Sequence, residues 1–286
     1  MIMCRLLGYA TSGDNQSLDD VLTSSQLETF QQMAIIHNDG WGAALVTDPP
    51  EPAGIYDGGA PTPSANVSIY KSTSSAYADP VFRSIECQGA RGGLYHLRLA
   101  SSNLPLIMEN QQPFFADGVS FIHNGDISDL NQRNIVRAPS KPVSELDMLR
   151  TGGKSDSAVY FALVLSYYHK GLELHDAVRE AIADLRGLCP RSSYNCMIQT
   201  GDTYICVHAV GSLKPEKEIE ELYARYGQAE HAADYRRIRY RDLAGGGVVA
   251  ASSGFEQRER DGWRTLPNNH MIIASNRTGE YRVETL

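Results

Sequence analysis

The sequence lacks a Cys-x-x-C pair, an uninterrupted apolar run of membrane-spanning length, an excess of basic residues and any internal repeat. Each absence removes a class of function. The five cysteines, Cys4, Cys87, Cys189, Cys196 and Cys206, form an odd set without metal-ligand spacing, which argues against a disulfide framework or a zinc site and for a reduced, cytoplasmic setting. No segment approaches the roughly 20 apolar residues of a membrane span. The first nine residues carry one Arg and no apolar stretch of signal length, so neither insertion nor export is expected. The Asn-x-Ser/Thr triplets at Asn15, Asn66 and Asn276 then read as chance matches. With 26 Lys and Arg against 34 Asp and Glu, a net charge of −8 excludes a general binder of phosphate backbones, and no nucleic-acid partner is expected. Glycines 245–247 lack the Lys-Ser/Thr that completes a phosphate loop.

What remains is 286 residues, 42% hydrophobic and 21% charged, enough to bury a sizeable core. Ser17 can cap a helix whose apolar positions Leu18, Val21, Leu22, Leu27, Phe30 and Met33 follow helical spacing. WGAALV (41–46), VSIYKS (67–72), GLYHLRLA (93–100) and VSFIHN (119–124) read as strands. Between the first two, residues 47–66 hold five prolines and three glycines. That segment is expected to be a loop inserted into a single domain, 1–286. DSAVYFALVLSYYH (156–169) and ELHDAVREAIADLRG (173–187) read as successive helices joined around Lys170 and Gly171. YNCMIQT and TYICVHAV form a hairpin across Gly201 and Asp202, KPEKEIEELYARYGQ a charged surface helix, and GGGVVAASS and NNHMIIAS further strands. This order predicts a layered α+β fold with mainly antiparallel sheets.

Cys4 stands directly after Met3. A start at Met3, followed by removal of that residue, leaves Cys4 with a free α-amine beside its thiol. Ordinary pKa values of about 8 and about 8.5 let the neutral amine take the thiol proton. No separate histidine is then required. Four more stretches combine groups that such a nucleophile would need: HNDGWG (37–42), HLRLASS (96–102), FIHNGDI (121–127) and KSDSAVY (154–160). His37, His96 and His123 could suggest a metal triad, but no carboxylate or cysteine spacing supports one, and no metal or organic cofactor is expected.

The Cys-Arg-Leu-Leu-Gly-Tyr start, Asp39-Gly40-Trp41-Gly42, His-x-Arg-x-Ala-Ser (96–101), His-Asn-Gly (123–125) and Ser-Asp-Ser (155–157), in this order, resemble the glutaminase domain of class II glutamine amidotransferases, which are N-terminal nucleophile hydrolases. The stand-alone members, a group that includes γ-glutamyl hydrolases of thiol metabolism, are the most similar. GFEQRERDGWRTLPNNHMIIAS (254–275) resembles their C-terminal strand region. The resemblance implies a four-layer αββα sandwich and an amide hydrolase that cleaves the γ-amide of glutamine or a γ-glutamyl compound through a Cys4 thioester. It implies Asn124 and Gly125 as the oxyanion hole, Arg98 and Ser101 on the donor's α-carboxylate, and Asp156 on its α-ammonium. The Asp39–Gly42 segment is expected to be structural. Ser102 and Asn103 replace the family's His-Gly, and Ala158 stands where a second acid is usual. The motifs leave no room for a fused synthase domain, so ammonia transfer would need a separate synthase subunit. If Met1-Ile2-Met3 stays attached, a non-catalytic γ-glutamyl-binding or regulatory role is the alternative.

Overall fold

The computed structural model describes residues 4–47, 67–100, 105–138, 142–212 and 217–286. The chain opens with β1 (Arg5–Thr11), α1 (Leu18–Val21), α2 (Ser24–Met33), β2 (Trp41–Val46), β3 (Val67–Ser72), α3 (Pro80–Glu86) and β4 (Gly92–Leu97). Next come β5 (Phe114–Ala116), β6 (Val119–Asn124), α4 (Glu145–Thr151), α5 (Asp156–His169), α6 (Leu174–Leu188), β7 (Asn195–Gln199) and β8 (Thr203–His208). The last third holds α7 (Lys217–Arg225), α8 (Ala229–Ala232), β9 (Ile238–Asp242), β10 (Gly247–Ser252), β11 (Arg264–Thr265), β12 (His270–Ser275) and β13 (Tyr281–Thr285).

The strands form a seven-stranded sheet, β11-β9-β10-β1-β4-β2-β3, and a six-stranded sheet, β13-β12-β8-β7-β6-β5. Side chains alternate across a strand, so each sheet offers two faces. Leu6 and Ala10 of β1 point between the sheets, where they meet Leu94, Ile122, Met197, Tyr204 and Ile272. Leu7 and Tyr9 point the other way, into a core shared with Phe30 of α2, Phe82 of α3 and Tyr223 of α7. The outer face of the second sheet packs Phe121 and Ile205 against Phe161 of α5 and Val178 of α6. The result is a four-layer αββα sandwich with three apolar interiors.

Burial on both faces explains why strands such as β1, buried at every position, read as continuous apolar runs rather than alternating ones. Gly8 marks a close approach of the two sheets, since a Cβ there would lie 2.8 Å from the Tyr204 ring and 2.9 Å from the Met197 sulfur.

The helix expected after Ser17 is two helices. Ser17 and Asp20 form one capping box and Thr23 and Gln26 a second. Leu22 between them is extended, at φ −113° and ψ 157°, because the second box captures the amides that a continuous helix would bond internally. The charged helix α7 is amphipathic, burying Ile219 and Tyr223 and leaving its glutamates outside. Residues 48–66, most of the expected insertion, lie outside the described residues, while the strands on either side pair directly, Val46 opposite Val67. Among the described residues no helix is long and apolar enough to cross a membrane.

Candidate active site

Cys4, Arg98, Gly125 and Asp156 come from four separate segments and line one cleft at the end of the sheets. Cys4 immediately precedes β1 and shares the inward face of Leu6. Its Sγ lies 3.7 Å from the Leu99 carbonyl oxygen, which follows β4, the strand hydrogen-bonded to β1. Burial pushes the thiol up to about 11, opposed by the nearby guanidiniums of Arg98 and Arg5. Arg5 itself points into the outer core, donating to His37 Nε2 at 3.1 Å, to the Tyr235 carbonyl at 2.8 Å and to the Tyr223 hydroxyl. The residue after the thiol is therefore anchored on the opposite side of the sheet.

Arg98 is placed by the Asp39–Gly42 segment. Its N–H donates to the Gly40 carbonyl at 2.8 Å, its carbonyl accepts from Asp39 N–H at 3.1 Å, and Asp39 Oδ2 accepts from Ala100 N–H at 2.8 Å. Gly40 turns at φ +123°, and a Cβ there would meet the Ser72 carbonyl oxygen and the Gln111 amide at 2.5 Å. A side chain at this position would break the clamp. Trp41 fills the outer core, its ring edge-on to Phe82 and its indole N–H on Asp79. The Arg98 side chain is 4% exposed, with Nη2 donating to the Pro105 carbonyl at 3.4 Å. Its Nη1 has no hydrogen-bond partner among the described residues. A buried guanidinium with an uncommitted donor is a place for an anion. Ser101, expected beside it, lies outside the described residues.

Asn124 ends β6 on the inter-sheet face and is fully buried. Neither atom of its amide has a partner among the described residues. Such a group carries a desolvation penalty of about 1–3 kcal/mol, which a ligand oxygen or nitrogen would relieve. At Gly125, a Cβ would come within 2.2 Å of the Ser193 carbonyl oxygen and 2.6 Å of His123 Nε2. Only glycine fits that backbone path. His123 is locked by Ser157 Oγ at 2.8 Å on Nδ1 and the Ser193 carbonyl at 3.0 Å on Nε2. A carbonyl can only accept, so Nε2 carries the proton. Burial pushes this ring down to about 4.

Asp156 is the first residue of α5, behind its N-cap Ser155. Its Oδ2 accepts from Ile127 N–H at 2.9 Å and Asn134 Nδ2 at 3.0 Å, and its Oδ1 from its neighbour Ser157 N–H at 2.9 Å. Burial raises its pKa, and these donors pull it back. The sequence reading missed three residues here. Gln112 holds the strand end through its Oε1, which accepts from His123 N–H at 2.6 Å. Asp126 and Asn134 join the Asp156 network. Asp126 sits directly after the His-Asn-Gly motif, an available signal, whereas nothing local marks Asn134 or Gln112. His96 lies beside His123 while His37 bonds to Arg5, and among the described residues no group of three or more His, Cys, Asp or Glu is placed to hold a metal ion.

The chain matches no protein-family model and none of the curated protein sequences. Solved structures do resemble it in fold. A glutamine aminotransferase class-II domain protein from Silicibacter pomeroyi superposes with a TM-score of 0.60 at 19% identity, covering 99% of both chains. The glutamine phosphoribosylpyrophosphate amidotransferase of B. subtilis, complexed with ADP and GMP, gives 0.56 at 16% identity. A structure of the allosteric regulatory enzyme of purine biosynthesis gives 0.58 at 15%. In both of the latter, 99% of this chain spans 49% of the other. What these structures share with the chain is the fold, two stacked antiparallel sheets between helical layers.

Proposed function

We propose that this protein is an amide hydrolase of the class II glutamine amidotransferase type, cleaving the γ-amide of glutamine or of a γ-glutamyl compound through Cys4. The observation that carries this reading is the convergence of Cys4, Arg98, Gly125 and Asp156 on one cleft, beside an Asn124 amide that is buried and unpartnered. One cation, one anion, one nucleophile and an unsatisfied amide match the charges of a γ-glutamyl donor bound by its α-carboxylate, its α-ammonium and its reacting carbonyl.

In the proposed reaction, Cys4 Sγ attacks the γ-carbonyl carbon while the Cys4 α-amine takes the thiol proton. The raised thiol pKa makes a base in contact necessary, since free thiolate is scarce near pH 7. Asn124 Nδ2 and the Gly125 N–H stabilise the oxyanion. The proton passes to the departing nitrogen, which leaves as ammonia or an amine, and a thioester remains. Water then adds to the thioester carbonyl and releases the acid and the thiol. Arg98 and Asp156 hold the donor's two charged ends, with Ser101 assisting Arg98. Transfer of the ammonia to a separate synthase subunit is a compatible use of the same half-reaction. The mechanism requires Cys4 to be the mature first residue.

The test is hydrolysis of glutamine and a panel of γ-glutamyl amides by protein whose first residue is confirmed as Cys4 by intact mass. A diazoketone glutamine analogue should add to Cys4 alone, and Cys4→Ala should release no glutamate. Full activity in Cys4→Ala would overturn the nucleophile assignment. Tight γ-glutamyl binding without turnover by the Cys4-initiated protein would establish the non-catalytic alternative.

A further inference from the structure

Asp156 does not stand alone. The Asn134 amide donates both of its hydrogens to carboxylates, one to Asp156 Oδ2 at 3.0 Å and one to Asp126 Oδ1 at 3.1 Å. Its own oxygen accepts from Val136 N–H at 3.0 Å, so the orientation of the amide is fixed and every polar atom is used. Asp126 Oδ2 is held by the Ser128 hydroxyl. The two acids are 8% and 3% exposed, and among the described residues neither has a Lys or Arg partner within ion-pair distance. Burial and the neighbouring Asp156 both raise the Asp126 pKa.

Two buried carboxylates sharing one donor is an unfavourable arrangement when both are ionised. A cation arriving at Asp156 would relieve it. The same loop carries Ile127, whose N–H bonds to Asp156 and whose carbonyl accepts from Ile135 N–H at 2.9 Å, and it follows directly on Asn124 and Gly125. The loop bonded to the Asp156 carboxylate is thus continuous in the chain with Asn124, whose amide is unpartnered among the described residues. Asp156 retains free lone-pair capacity after its three bonds.

We propose that Asn134 and Asp126 are positioning residues that fit Asp156 to the α-ammonium of the donor, and that they set discrimination between donors with and without that group. This rests on the γ-glutamyl reading above. Asn134 aims the carboxylate, and Asp126 holds Asn134 while adding negative field behind it. An asparagine that merely closed the loop would affect every donor alike.

The experiment measures Kd for L-glutamine and for glutaramate, the same amide without the α-amine, by calorimetry in a Cys4→Ala background that keeps the donor intact. The parent should bind glutamine more tightly. Adding Asn134→Ala should weaken glutamine at least about tenfold, as expected for a hydrogen bond to a charged group, and leave glutaramate within about twofold. Asp126→Asn, nearly isosteric, should shift the ratio in the same direction and serves as the test if Asn134→Ala does not fold. Equal binding of the two ligands by the parent, or equal losses for both in the variants, overturns the inference while leaving hydrolysis by the Cys4 protein unaffected. If that protein cleaves no γ-glutamyl amide and the parent binds neither ligand, the γ-glutamyl reading falls and this inference falls with it.

Discussion

At the scale of single residues, the site is a set of deliberate shortfalls. Asn124 and Arg98 Nη1 are buried donors without partners among the described residues, and a fold optimised for stability alone would satisfy them. Asn124→Ala should therefore leave the melting temperature unchanged or raise it. If the amide is an oxyanion donor, the same variant should lose about 10²–10³ in kcat with KM little altered. Thermal unfolding and steady-state kinetics on one preparation check both halves. A variant that loses stability together with KM would mark Asn124 as a structural residue. The contrast with His123 is instructive, because that ring is equally buried yet has a partner on each nitrogen. The family resemblance pointed to Cys4, Arg98, Gly125 and Asp156, which line one cleft. Asn134 escaped it because its meaning lies in a bond to a residue 22 positions away, and a lone Asn in a polar loop reads locally as a turn residue.

At the scale of elements, Cys4 precedes a strand, β1, that lies close against the second sheet. Gly8→Val should overpack the Tyr204 and Met197 contact and lower unfolding free energy by about 1–3 kcal/mol, seen in urea titration. Adding Met197→Ala should recover part of the loss, a non-additivity that a double-mutant cycle reads directly. If the two changes simply add, the contact is not the cause. The elements most legible in the sequence were those with an unambiguous period or boundary. α5 begins at the Asp156 that follows a Ser cap and runs through His169, and β2, β3 and β6 match their runs end to end. The break between α1 and α2 was concealed because Leu22 keeps the helical spacing while leaving the helix. The short edge strands β5, β11 and β13 carry too few residues, or too exposed a set, for periodicity to register. Four layers could not be read from periodicity, since a strand buried on both faces gives no sign of which sheet it joins.

For the whole molecule, pH should act through the interior between the sheets and behind them. His96 and His123 are fully buried, and burial pushes them down to about 3 and about 4. Their contribution to stability is complete above the ordinary histidine value of about 6.5 and is lost as pH falls toward those depressed values. Glu86, pushed up to about 7 chiefly by burial, acts with the opposite sign and partly offsets them in this window. The informative quantity is therefore a difference: between pH 6 and pH 5, wild type should lose about 1.2 kcal/mol more stability than His96→Gln. Parallel urea midpoints for the two proteins would show that His96 titrates normally. The order of strands in the seven-stranded sheet carries a further consequence. β1 lies between β4 and β10, and β10 spans residues 247–252. A ribosome adding about 5–20 residues per second makes β1 more than about ten seconds before β10, the second neighbour that its strand needs. β1 therefore waits for a partner made much later, and a chain interrupted before residue 247 would carry the Cys4 thiol without the strand that completes its framework.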